Sequence, residues 1–167
     1  SDPLTAEHFY QALPIVNRQH LVLVNMVRPE AAHPLFSPKR LPSASAEIYD
    51  PEAGSWSSLP PMNTPRFGAA AVLLPGGEVL ITGGSTDVGP DPGAEVYDPV
   101  AGTWSKVPAM AVARRGHTAT LLADGDVLVA GGSDANGPVA SAERLHVSQS
   151  ALSAQPRGRH EQRVLLE

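Results

Sequence analysis

The chain has 167 residues, 17% of them charged and 5% aromatic, with 15 Gly, 17 Pro and a net charge of −5. This turn-rich, weakly charged composition is that of one ordinary globular domain and excludes a disordered chain or a helical bundle. Cysteine is absent, which removes disulfides, thiolate nucleophiles and Cys-based zinc sites, and the excess of acid argues against nucleic acid, whose phosphates need Lys and Arg.

In chain order, Thr5–Leu13 predicts a short helix, with Thr5 as its cap and Glu7 in the first turn. His20–Val27 is a continuous apolar run with β-branched residues and predicts a strand. His33–Ser43 is Pro-rich and predicts a linker. From Ala46 onward the sequence repeats itself. Sliding it by 48 positions superposes Ala46–Ser85 on Ala94–Ser133 without a gap, with 22 identities in 40 positions. A third start, Ala140–Glu143, repeats Ala44–Glu47 and then decays. Each unit predicts four short strands. Gly68–Leu74 and His117–Leu122 are apolar runs of strand length, and "EVLITGG" and "DVLVAGG" follow them after tight turns at Gly77 and Gly125. "AEVYD" and "TWSKV" form a further hairpin across "PVAG". Continuous apolar runs, rather than alternation, predict sheets buried on both faces.

The layout predicted is therefore an extension and linker over 1–43, blade units over 44–147 and a tail over 148–167. Charge follows it: 4 basic and 3 acidic groups in the first part, 5 and 12 in the second, 3 and 2 in the third. The acidic middle suits either a cation site or an ordinary solvated face. No apolar run reaches the ~18 residues of a membrane helix, and no signal peptide opens this sequence. A membrane is not an expected partner, and the compartment stays open.

The double Gly, a Tyr about 13 residues on, a Trp seven residues after that Tyr, then Met and Arg, resemble the kelch repeat. The likeness spans about residues 44–147. It implies an all-β fold of kelch-type β-propeller blades, each a four-stranded antiparallel sheet, with an incomplete ring in one chain. It also implies that Gly83-Gly84 and Gly131-Gly132 end second strands, that Trp56 and Trp104 lie in last strands with Tyr49 and Tyr97 in the same layer, and that Arg66 and Arg114 sit at blade junctions. Separately, Asn17–Phe36 is similar to part of bacterial proteins with a von Willebrand A-like domain, where it would be a central parallel strand. Here it could instead add an edge strand to the blades, pair with a second chain or stay loosely ordered.

Propellers close with 4–8 blades, so this chain is either part of a larger ring or one of several copies that complete it. Self-association is the expected partner relation, because terminal blades need covering. Residues fit for chemistry are few. His117 replaces Ala69 of the other copy at the start of a first strand and is the one candidate base. The loops after the glycine doublets differ between copies and carry Asp87 and Asp91 in one, Asp134 and Asn136 in the other. Such oxygens suit Ca²⁺, and equally are turn formers. Asp50 and Asp98, before Pro, predict turn caps. Two functions follow: a module that binds a protein or ligand on its loops, or a Ca²⁺-dependent hydrolase of esters or lactones on an assembled propeller, the latter by fold analogy alone.

Overall fold

Short strands joined by Gly turns form this chain throughout the described residues, which are 11–12, 21–24, 28–29, 40–50 and 53–147 of a computed structural model. In chain order they are β1 (Gln11–Ala12), β2 (Leu21–Val24), β3 (Arg28–Pro29), β4 (Arg40–Leu41), β5 (Ala46–Asp50), β6 (Ser55–Leu59), β7 (Ala70–Leu73), β8 (Val79–Thr82), β9 (Ser85–Thr86), β10 (Gly89–Pro90), β11 (Ala94–Asp98), β12 (Thr103–Val107), β13 (Thr118–Leu121), β14 (Val127–Ala130) and β15 (Ala142–Leu145). All pairings are antiparallel, and no helix occurs among the described residues.

The turns explain why the strands stop where they do. Gly77, at φ +96°, donates its N–H to Leu74 O at 3.0 Å, and Leu74 N–H bonds Glu78 O at 2.8 Å. That closes the β7–β8 hairpin with a residue able to take positive φ. Between β11 and β12, Asp98 Oδ1 accepts Val100 N–H at 2.8 Å and Ala101 N–H at 3.1 Å. Asp50 Oδ1 accepts Ala53 N–H at 3.1 Å in the matching turn. Both are the turn caps expected of an Asp before Pro.

Three blade-like sheets result. The second blade has the order β12-β11-β8-β7, and the third holds β13-β14-β15. The first has the order β1-β2-β5-β6, so its outer hairpin comes from the repeat and its other two strands from the segment before it. β2 meets β5 through Leu21↔Tyr49 and Val24↔Ala46, the register in which β8 meets β11 through Val79↔Tyr97 and Thr82↔Ala94. The apolar strand of the extension thus takes a second-strand place, antiparallel to both neighbours. The helix expected over Thr5–Leu13 meets strand instead at Gln11–Ala12, because pairing with β2 outweighs local helix preference. The rest of that segment and the tail 148–167 lie outside the described residues, as do 33–39 of the expected linker, of which Arg40–Leu41 pairs with Arg28–Pro29.

The second blade is covered on both faces, as its unbroken apolar runs predict. Ala71, Val79, Ile81 and Tyr97 pack toward the first blade with Met62, Ile48 and Leu59. Val72, Leu80, Ala94 and Val96 pack toward the third with Val127, Val129 and Leu145. Each large apolar side chain buried here contributes about 1.5–3 kcal/mol, so the blades hold together by apolar layers in which alternate residues of one strand serve opposite neighbours.

Candidate interaction surface

One polar node is built twice. Arg66, which precedes β7, is 1% exposed and runs back under its own blade. Its Nη1 donates to the carbonyls of Gly83 and, at 3.1 Å, of Gly93, and its Nη2 donates to Glu95 Oε1 at 2.9 Å. Glu95, also 1% exposed, accepts Asn63 N–H at 2.7 Å and Thr64 N–H at 3.0 Å from the link that leaves the first blade. Forty-eight residues on, Arg114 donates to Gly131 O at 2.9 Å and Ser141 O at 2.8 Å and pairs with Glu143 Oε1 at 3.1 Å. Glu143 accepts Ala111 N–H at 2.5 Å and Val112 N–H at 3.4 Å. Each Arg therefore ties the ends of three strands, and each Glu holds the incoming link from the previous blade. Sequence reasoning placed the arginines and missed the glutamates, although the recurring "ASAE" and "AE" at the same 48-residue spacing carried the signal.

The glycine doublets follow β8 and β14 directly, with φ of +59° and +96° at Gly83 and Gly84 and +70° and +83° at Gly131 and Gly132. A Cβ on Gly84 would stand 2.9 Å from Phe67 O, and one on Gly83 2.5 Å from Arg114 O. Gly84 N–H in turn bonds Arg114 O at 2.9 Å, linking second blade to third. Gly84→Ala is expected to cost about 2 kcal/mol or more, from positive φ and from the close approach together. A urea midpoint within error of wild type would show that neither matters.

The Tyr–Trp pairs share a layer. Tyr49 and Trp56 rings lie 4.8 Å apart, Tyr97 and Trp104 rings 5.1 Å apart. Trp104 Nε1–H donates to Pro60 O at 2.8 Å, reaching across to the link from the first blade. Burial and then Asp98 raise the Tyr97 phenol above its ordinary pKa.

His117 sits between the second and third blades, 6% exposed, with Nε2 2.9 Å from Thr82 Oγ1. Its Nδ1 is buried without a hydrogen-bond partner. Burial, and then the Arg114 charge, lower its pKa to about 4, with the Arg114 carbonyl and Glu143 acting weakly the other way. The imidazole is thus neutral near pH 7. Thr82, its partner, was not singled out from the sequence; only the packing of the blades brings the two together.

The unlike loops project from corresponding ends of the second and third blades, since Ser85 and Pro90 pair in one and Ser133 and Pro138 in the other. Asp87 and the 92%-exposed Val88 form the tip of the β9–β10 hairpin. Asp91 Oδ2 lies 3.4 Å from Arg66 Nη1, so this carboxylate belongs to the Arg66 node. Asp134 Oδ1 accepts Asn136 N–H at 2.7 Å and Gly137 N–H at 3.0 Å, shaping its own loop. Among the described residues, no three His, Cys, Asp or Glu come together in a way that could hold a metal ion. What the loops offer is shape and exposed groups on a rigid frame, the usual arrangement of a binding surface.

The family model of the Kelch motif matches residues 39–63 and 66–111. No curated protein matches the chain. Among the described residues, no helix is long and apolar enough to cross a membrane.

Proposed function

The chain is a kelch-repeat protein, and from that premise we propose that it is a propeller-type protein-interaction module whose blade set is completed by self-association. The observation that carries the interaction reading is that two unlike loops project from corresponding ends of a repeated frame, and self-association is proposed as the source of blades beyond the three blade-like sheets of the described residues. The proposed boundaries are 1–43, 44–147 and 148–167, with the first part lending strands to the first blade. The proposed contact loops are those after the glycine doublets, where Asp87, Val88, Asp134 and Asn136 differ between copies while the frame beneath them repeats.

The alternative of an ester or lactone hydrolase would need Asp87, Asp91, Asp134 and Asn136 to converge on Ca²⁺ with His117 as base. Asp91 instead lies 3.4 Å from Arg66 Nη1, and Asp134 accepts the N–H groups of Asn136 and Gly137 in its own loop. Light scattering at several concentrations, with and without Ca²⁺ and chelator, and an ester and lactone panel separate the readings. A mass that rises with concentration and no chelator-sensitive turnover is the expected result. A strict monomer removes self-association, and chelator-sensitive turnover replaces the binding reading with the hydrolase one.

A further inference from the structure

We infer that Arg115, stacked on Phe67, is the anchor by which this chain grips a carboxylate on a segment of a separate partner protein. This rests on the interaction reading above and names the chemistry that the partner must carry. Phe67 and Arg115 hold equivalent places 48 residues apart, each just before a glycine at φ +64°, Gly68 and Gly116. The backbone fastens each to the loop that follows a glycine doublet. Phe67 N–H meets Ser85 O at 3.0 Å and Ser85 N–H meets Phe67 O at 2.8 Å, while Arg115 and Ser133 exchange the same two bonds at 2.9 Å. Gly116 N–H donates to Gly68 O at 2.7 Å and draws the two places together across the blade junction. The guanidinium carbon of Arg115 then stands 5.8 Å from the Phe67 ring centroid. Phe67 is half-buried and packs on the apolar layer between the first and second blades, so its ring is a fixed platform. A guanidinium laid on an aromatic face keeps its N–H edge available and has less freedom to lose on binding.

The donors of this guanidinium are unused. Arg66, Arg114 and Arg144 each hold a carboxylate. Arg115 is exposed, and among the described residues its guanidinium makes no ion pair and no hydrogen bond. Carboxylates are not scarce, since residues 44–147 carry 12 acidic groups against 5 basic ones. Asp134, next to Ser133, spends Oδ1 on the N–H groups of Asn136 and Gly137 in its own loop. A planar N–H edge left free in this way matches a carboxylate through two parallel hydrogen bonds. One guanidinium also balances one negative charge. A phosphate group would bring nearly two charges to an end that carries Asp87 and Asp134, and such groups are met by clusters of Arg. Val88, 92% exposed at the tip of the hairpin that Ser85 opens, offers an apolar contact at the same end. The segment that fits therefore carries Asp or Glu beside an apolar residue, and Arg with an aromatic platform is the usual make-up of an interface hot spot.

The test selects displayed random short peptides on the wild-type chain and on Arg115→Glu, after circular dichroism shows that the variant folds. Wild type is expected to enrich peptides bearing Asp or Glu, and Arg115→Glu to enrich peptides bearing Lys or Arg instead. Calorimetric titration with a wild-type winner is expected to show binding on the order of 10- to 100-fold weaker for Arg115→Ala, the loss of one charge-assisted contact. Arg115→Lys is expected to fall between, because it keeps the charge and loses the fork. Changing the peptide's acid to its amide should weaken binding to wild type and add nothing to the loss already present in Arg115→Ala. Winners without an acidic residue, or acidic winners that bind Arg115→Ala as well as wild type, overturn the assignment of Arg115. If those winners still lose binding on Val88→Asp, the loops remain a binding surface and Arg115 alone is wrongly assigned. A selection that yields no binder overturns both this site and the interaction reading. Light scattering checks the remaining occupant: a mass that falls on Arg115→Glu makes the segment part of another copy of this chain and overturns the separate partner.

Discussion

Replacing Arg66 by Ala is expected to destabilise the chain by about 3–5 kcal/mol, the cost of leaving a buried charge without its partner. The loss falls on Glu95, 1% exposed, which would keep only Asn63 and Thr64 as donors, and on the carbonyls of Gly83 and Gly93. The equivalent change at Arg114 is expected to cost less, because its partner Glu143 is 18% exposed and water can reach it. Replacing Arg66 and Glu95 together by apolar residues is expected to recover part of the loss on the pair itself, though Asn63 and Thr64 N–H would then lose their acceptor. Urea unfolding followed by far-UV circular dichroism measures all three. Equal losses for Arg66→Ala and Arg114→Ala would refute the role given to burial.

The second large effect is pH-dependent. His117 titrates near 6.5 when unfolded and at about 4 in the folded chain. Between those values the unfolded state binds a proton that the folded state excludes, so stability is full above pH 6.5 and falls as pH drops toward 4. That gap is worth roughly 3 kcal/mol. His117→Ala puts in place the residue that position 69 carries, and His117→Gln keeps a polar group near Thr82. Both are expected to flatten the pH dependence between 6.5 and 4 relative to wild type, whatever their constant offset. Parallel pH profiles for wild type and both variants would show that His117 takes up its proton freely in the folded chain. The physical content is that a cation here would be buried between blades beside Arg114, so acid should loosen the junction of the second and third blades first. Hydrogen exchange across β13 and β14 at pH 5 reads that directly.

The repeat at 48 residues was enough to read the blade from sequence. Tyr97 with Trp104, the glycine doublets and the turns at Gly77 and Asp98 are local features, and their spacing alone places them on short strands and tight turns. Arg66 and Arg114 were legible for the same reason. Their partners were not singled out, because Glu95 and Glu143 look like exposed strand residues until the incoming links fold over them. The extension was misleading in another way. Thr5–Leu13 has a local helix signature and Leu21–Val24 an apolar run of ambiguous use, and only the open edge of Ala46–Asp50 makes strands of Gln11–Ala12 and Leu21–Val24. His117 was visible as an exception to the repeat, but its neutral state depends on Thr82, Arg114 and the burial that two packed blades create. By itself, then, the sequence determined the blade, since hairpins, turns and apolar runs are set by neighbouring residues. The tertiary structure alone decided which charges are buried and what completes the first blade, because each depends on residues distant in the chain being brought to one surface.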